Sequence, residues 1–259
     1  MNQTLEIIRN RKSVRVYEDT PIPETSKEMI IQAAMRAPTA GNLMLYSILD
    51  ITDPAIKEQL AVTCDHQPFI AKAPLVLLFL ADWQRWYDCF LASGVPEFCR
   101  EKGTSMRAPR EGDLFLACCD ALVAAQNAVI AAESLGIGSC YIGDIMENFE
   151  IHRELLDLPE YVFPIAMLCL GYPTKGQLKR KQTARFDRKY MVFENNYRRL
   201  EQDELTQMCK SFSGRTGVGQ NVGQQVYMKK FSAGFSHEMN RSVKKMLENW
   251  AGELPQQDS

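Results

Sequence analysis

The chain carries few of the signatures that announce a chemistry, and each absence removes a class of function. None of its eight cysteines forms a Cys-x-x-Cys knuckle, and none of its three histidines opens a His-Glu-x-x-His run, so no structural zinc or metalloprotease site is written in it. The one neighbourhood of the two types, Cys64-Asp65-His66, has no further ligand at a useful spacing. No serine elbow is present. Gly136-Ile137-Gly138 and Gly217-Val218-Gly219 begin like dinucleotide fingerprints, but Tyr141 and Val222 stand where the third glycine belongs. The first of these also ends a helical pattern and starts a strand, the reverse of the required order. There is no internal repeat and no low-complexity linker. A formal net charge of -2 gives no whole-molecule attraction to nucleic acid or to an anionic membrane. Glu6, Arg9, Arg11 and Lys12 follow no apolar block, so no secretory signal is expected.

Apolar residues, by contrast, are plentiful. They make up 46% of the 259 residues, enough for a large core. Several cysteines lie inside apolar runs, as Cys118 and Cys119 do at 114–125 and Cys169 does at 166–170, where a reduced thiol acts as a small hydrophobe. A reducing cytoplasm is the location this predicts. The stretch 114–135 is apolar enough to raise a membrane span, but it contains Asp120, Gln126, Asn127 and Glu133. Such groups are costly in lipid, so it reads as a core helix, and its apolar residues on nearly every face predict cover from a second subunit.

Periodicity predicts helices near 4–10, 26–36, 54–64, 113–134, 148–156, 201–212 and 235–250. Strands are expected near 46–52, 75–81, 138–142 and 163–171. Their spacing lacks the regular alternation of a doubly wound fold, which leaves an α+β class. A Lys/Arg-rich stretch near 174–189 follows the last strand and offers the only plausible boundary.

Within this frame, one segment points to a ligand. In Arg11-Lys12-Ser13-Val14-Arg15, an extended backbone would send Arg11, Ser13 and Arg15 to one side, where two guanidinium groups and a hydroxyl suit a phosphate dianion. The alternative is a solvated basic run. Thr39, Ala40, Gly41 and Asn42 end a helix with small residues and backbone donors suited to a planar ligand, and Gln67 offers an amide before the strand at 75. Each also reads as an ordinary loop. Tyr141, Ile142, Gly143 and Asp144 end a strand with a glycine where backbone could approach a ligand, and Lys181 and Arg185 belong to a second cationic cluster.

Together Arg11-x-Ser13-x-Arg15, the turn at 38–42, residues 131–138 with Tyr141-Ile142-Gly143, and Leu168-Cys169-Leu170-Gly171-Tyr172-Pro173 resemble the FMN-dependent nitroreductase/flavin reductase family. Glu194-Asn195-Asn196-Tyr197, followed by a helical extension, resembles its larger NADPH-using branch. The likeness covers about residues 4–197, which implies a flavin-binding domain over 1–197 and a C-terminal extension over 198–259. It implies a three-layer α+β sandwich with a mainly antiparallel sheet, built as an intertwined homodimer with FMN at the subunit interface.

By the same resemblance Arg11, Lys12, Ser13 and Arg15 would hold the FMN phosphate and ribityl chain, with Arg185 and Lys181 assisting. Thr39, Ala40, Gly41 and Asn42 would reach the ring from the partner subunit, Gln67 would bond its pyrimidine edge, and Tyr141, Ile142, Gly143 and Asp144 would lie along it. NADPH or NADH would reduce the flavin, which would then reduce a nitroaromatic, a quinone or free flavin in ping-pong fashion. Because the cofactor carries the chemistry, no catalytic side chain is expected. Arg215, in a glycine-bearing segment, is the candidate for the NADPH 2′-phosphate.

Two departures stand out. Asp144 occupies a position where the family commonly has glycine, and Met44 one where it commonly has glutamine. They leave two other readings open: the same flavin fold doing dehalogenase or dehydrogenase chemistry, or a non-enzymatic flavin-binding module in which Asp144 blocks hydride access.

Overall fold

The computed structural model describes residues 2–212 and 221–251. Its centre is a four-stranded antiparallel sheet of β1 (Tyr46–Asp50), β2 (Leu75–Asp82), β3 (Gly138–Ile142) and β4 (Val162–Gly171), in the order β1-β2-β4-β3. The inner strand β2 is buried at every position, which is why it reads as an unbroken apolar run. Pro164 of β4 stands opposite Leu80, and the register shifts between Phe79 and Leu80. Proline has no N–H to give the ladder, so the extra residue is absorbed there as a bulge.

Strand periodicity sends Leu75, Leu77, Phe79, Leu168 and Leu170 to one face of the sheet and Val76, Leu78, Leu80, Met167 and Cys169 to the other. Helices α2 (Glu24–Met35) and α6 (Glu111–Ser134) cover the first face through Ile30, Ala34, Ala121, Ala124, Ala125 and Ala128. On the second face α3 (Pro54–Thr63) packs Leu60 and Ala61, joined by Ile145 and Leu158. Helix, sheet and helix make the three expected layers.

Helix α6 is anchored at both ends. Asp113 in its first turn accepts the Arg110 N–H at 2.8 Å and pairs with Arg107, whose guanidinium holds the carboxyl below the usual carboxylate range. At the other end Gly136 takes φ +73, and Ile137 N–H returns to Ala132 O at 2.9 Å. By length and composition α6 could cross a membrane, but its alanine-rich side lies against the sheet. The opposite side leaves Phe115 69% and Leu116 49% exposed in the single chain.

The remaining helices are α1 (Gln3–Asn10), α4 (Gln84–Ala92), α5 (Val95–Glu101), α7 (Phe149–Leu155), α8 (Lys175–Lys179), α9 (Gln202–Phe212), α10 (Val222–Val226) and α11 (Gly234–Ala251). Sequence periodicity does not announce α4, α5, α8 or α10. Contacts divide the chain into Met1–Arg180 with Glu238–Ser259, and Lys181–His237. The boundary expected at 197/198 falls inside the second of these units. In the first unit, Trp250 of α11 stacks edge-on against Tyr161 at 5.7 Å and donates to Arg110 O at 3.2 Å. In the second, Arg198 grips Glu204 with two hydrogen bonds of 2.6 and 2.7 Å.

Candidate functional site

The segment after α1 is extended, and two glycines let it lie on the sheet. Ser13 forms a parallel bridge with Ser139, Val14 N–H donates to Ser139 O at 2.9 Å, and Tyr17 bridges Pro173. A Cβ at Gly138 would stand 2.5 Å from Val14 Cγ2, and one at Gly171 would stand 2.6 Å from Tyr17 Cδ1, so only glycine permits this approach. Val14 is thereby buried, and the alternation turns Arg11, Ser13 and Arg15 to the other side.

Lys12 falls on the Val14 side of that alternation. Its ammonium donates to the carbonyls of Leu178 and Arg180 at the end of α8, the latter at 2.9 Å, so it ties the segment down instead of extending the cationic row. Glu133 of α6, which falls within the 131–138 motif, accepts Ser139 Oγ at 3.0 Å. Burial raises its carboxyl, while Ser139, Arg11 and Lys12 oppose the rise.

The loop after α3 completes this neighbourhood. Gln67 Nε2 donates to Cys64 O at 2.9 Å and to Asp144 Oδ2 at 2.7 Å, which joins two residues that lie far apart in sequence. Two residues later the Phe69 ring lies under the Arg15 guanidinium, 5.9 Å from its centroid. At the end of β3, Tyr141 directs its hydroxyl to Gln126 of α6 at 3.3 Å, and Ile142 is buried in the core on the opposite face. Their side chains are therefore committed to packing, and these residues can offer a ligand mainly backbone. Gly143 is exposed, with open space where a Cβ would point.

Thr39, Ala40, Gly41 and Asn42 are held elsewhere. The backbone winds through left-handed φ values at Gly41, Asn42 and Met44. The buried Asp120 of α6 accepts the N–H groups of Ala40 at 3.0 Å and Leu45 at 3.2 Å, and Trp86 Nε1 caps Leu43 O at 2.8 Å. Asp120, which shapes this loop, is a residue that sequence reasoning did not single out. Its signal was a carboxylate set deep in the apolar stretch of α6. Lys181 and Arg185 belong to the second unit, where Arg185 folds back on Thr183 O at 3.1 Å. Arg215 lies outside the described residues.

Residues 8–172 match the Nitroreductase family. The chain is 34% identical over 206 residues to the oxygen-insensitive NADPH nitroreductase of Salmonella typhimurium, covering 79% of each. It is 32% identical over 199 residues to an FMN reductase (NADPH) of Bacillus subtilis, covering 76% of this chain and 75% of the relative. Among solved structures, nitroreductase A from Vibrio parahaemolyticus superposes with a TM-score of 0.79 at 27% identity, over 95% of this chain and 98% of the other.

Proposed function

From the premise that the chain belongs to the nitroreductase family, we propose that it is an FMN-dependent oxidoreductase that uses NADPH or NADH to reduce nitroaromatics, quinones or free flavin. The observation that carries this reading is the convergence, within one unit, of the Arg11-Ser13-Arg15 row, the Gln67–Phe69 loop and the Gly143-Asp144 end of β3. The donors fit the group. Two guanidinium groups and a hydroxyl suit a phosphate, an amide suits a pyrimidine edge, and a glycine that nothing crowds suits the flat face of a ring.

Bound FMN would supply two-electron chemistry, taking a hydride from the nicotinamide and passing it to the acceptor in a ping-pong cycle. The chain's part is to bind and orient. Arg11, Ser13 and Arg15 would fix the phosphate end, and Gln67 would fix the ring in its plane. Lys12 and the glycines at 138 and 171 set the row in place, and Tyr141 and Ile142 hold the strand whose end carries Gly143.

The same reading makes the protein a homodimer. Phe115, Leu116, Leu122 and Val123 leave one side of α6 apolar and exposed, a surface that a second copy would cover. Thr39, Ala40, Gly41 and Asn42, anchored to that same helix through Asp120, would then reach the partner's flavin. Arg215 would select NADPH through its 2′-phosphate. Eight free cysteines accord with a cytoplasmic location.

A visible spectrum recorded before and after anaerobic NADPH tests the proposal. The expected protein is yellow with one FMN per chain, bleaches with NADPH and recovers its colour on addition of a nitroaromatic. Colourless protein would refute the flavin assignment. Bound flavin that neither nicotinamide bleaches would turn the reading to another flavin chemistry.

A further inference from the structure

Gln67 stands in the proposed flavin site with the donor half of its amide already engaged. Its Nε2 carries two hydrogens and meets two acceptors, Cys64 O at 2.9 Å and Asp144 Oδ2 at 2.7 Å. Cys64 O is a backbone carbonyl and can only accept, so the amide nitrogen, and not its oxygen, must face this pair. The orientation of the amide is therefore chemically determined. What it leaves to a ligand is the carbonyl oxygen, Oε1.

Both sides of this clamp are held from behind. Gln67 N–H donates to Ala61 O at 2.7 Å, and Gln67 O accepts Ile70 N–H at 3.1 Å. Asp65 and His66, just before it, take φ values of +57 and +51, which turn the chain off the end of α3. On the other side Asp144 opens a tight helical turn, in which Met146 N–H donates to Gly143 O and Glu147 N–H to Asp144 O, each at 3.0 Å. Ile145 is fully buried and Glu147 is 4% exposed, so the turn is rooted in the core. Support of this kind holds a side chain within the narrow limits that directional recognition needs.

An acceptor fixed in this way suits one kind of partner. A ring N–H flanked by two carbonyls, as in the imide of a flavin pyrimidine ring, can donate to Oε1. The flanking carbonyls receive nothing from an amide whose N–H groups are both engaged. Cys64 contributes through its backbone, so the side chain that decides the matter is Asp144. Alanine or glycine there would offer Nε2 no acceptor.

We propose that Asp144 is a positioning residue that sets specificity: it holds the Gln67 amide so that the site takes a flavin with a free imide N–H and rejects one in which that nitrogen is substituted. The inference rests on the reading of Gln67 as the residue at the pyrimidine edge. Asp144 acts only through Gln67.

Fluorescence titration of the full chain with FMN and with 3-methyl-FMN, in which a methyl group replaces the imide hydrogen, tests the proposal. Wild type should bind FMN about tenfold or more tightly than the methylated flavin, because Oε1 then faces a methyl group in place of a donor. In Asp144→Ala one N–H of Gln67 is released. Both flavins keep their ring carbonyls as acceptors for it, so the ratio of affinities should fall several-fold. Asparagine can offer Nε2 its own amide oxygen, and Asp144→Asn should restore the wild-type ratio.

A loss of affinity shared equally by the two flavins in Asp144→Ala would show a structural role alone and would overturn the proposal. So would an asparagine variant that follows alanine, or wild type that binds both flavins alike. Wild type that binds neither flavin would overturn it as well, and would mark the failure as that of the underlying flavin reading.

Discussion

Replacing Asp120 with asparagine tests whether the loop at 39–45 owes its shape to one buried carboxylate. Asp120 is 4% exposed on α6 and accepts two backbone N–H groups, Ala40 at 3.0 Å and Leu45 at 3.2 Å. Hydrogen bonds to a charged acceptor contribute about 1.5–3 kcal/mol each, and a buried donor left without one costs a similar amount. Asparagine keeps the volume and one acceptor oxygen but turns an NH₂ group toward the second N–H, so the expected loss is about 2–3 kcal/mol. Alanine removes both acceptors and should cost about 3–6 kcal/mol. Urea unfolding at a fixed protomer concentration reads the change as a lower midpoint at unchanged slope. If the loop also reaches a flavin, its loosening should weaken FMN binding several-fold in the asparagine variant. A midpoint shift worth less than about 0.5 kcal/mol, below the ordinary scale of a buried charged hydrogen bond, would refute the anchoring argument.

Two further outcomes follow from the same geometry. Arg15→Ala should remove a charge-assisted contact of about 1.5–3 kcal/mol and weaken FMN binding tenfold to a hundredfold by fluorescence titration, and full retention of flavin would sink the phosphate assignment. The unaltered chain should sediment as a dimer at micromolar concentration, and Phe115→Glu, by placing a charge on the exposed apolar side of α6, should yield monomer; a folded, FMN-loaded monomer of the unaltered chain would rule out the dimer.

What could be read in the sequence, and what could not, divides along the distance over which each feature is determined. The four strands were legible because each is a short apolar run bounded by Pro, Gly or Asp, and burial on both faces leaves such runs unbroken. Helices α4 and α5 were not: Trp83, Trp86, Tyr87 and Phe90 do fall at a helical spacing, but the two helices are short, and Gly94 and Pro96 fall between and within them. The row of Arg11, Ser13 and Arg15 was visible as a local period of two. Lys12 shared that local signal, yet its partners lie 166 and 168 residues away, where no local pattern reaches.

Asp120 and Glu147 carry the point furthest. Each is a single acid with no motif around it, and its role is fixed by what the fold brings to it: two backbone N–H groups in one case, and in the other a second carboxyl among like charges away from water. Burial turns the same side-chain chemistry in opposite directions at the two sites. At Asp120 each carboxylate oxygen meets a donor, so substitution should cost stability. At Glu147 one oxygen meets none among the described residues, and burial pushes the carboxyl up to about 8, so the group should hold its proton at neutral pH. Sequence can mark an acid as out of place in an apolar stretch, but only the partners gathered by the fold decide whether it keeps its charge as an anchor or gives it up.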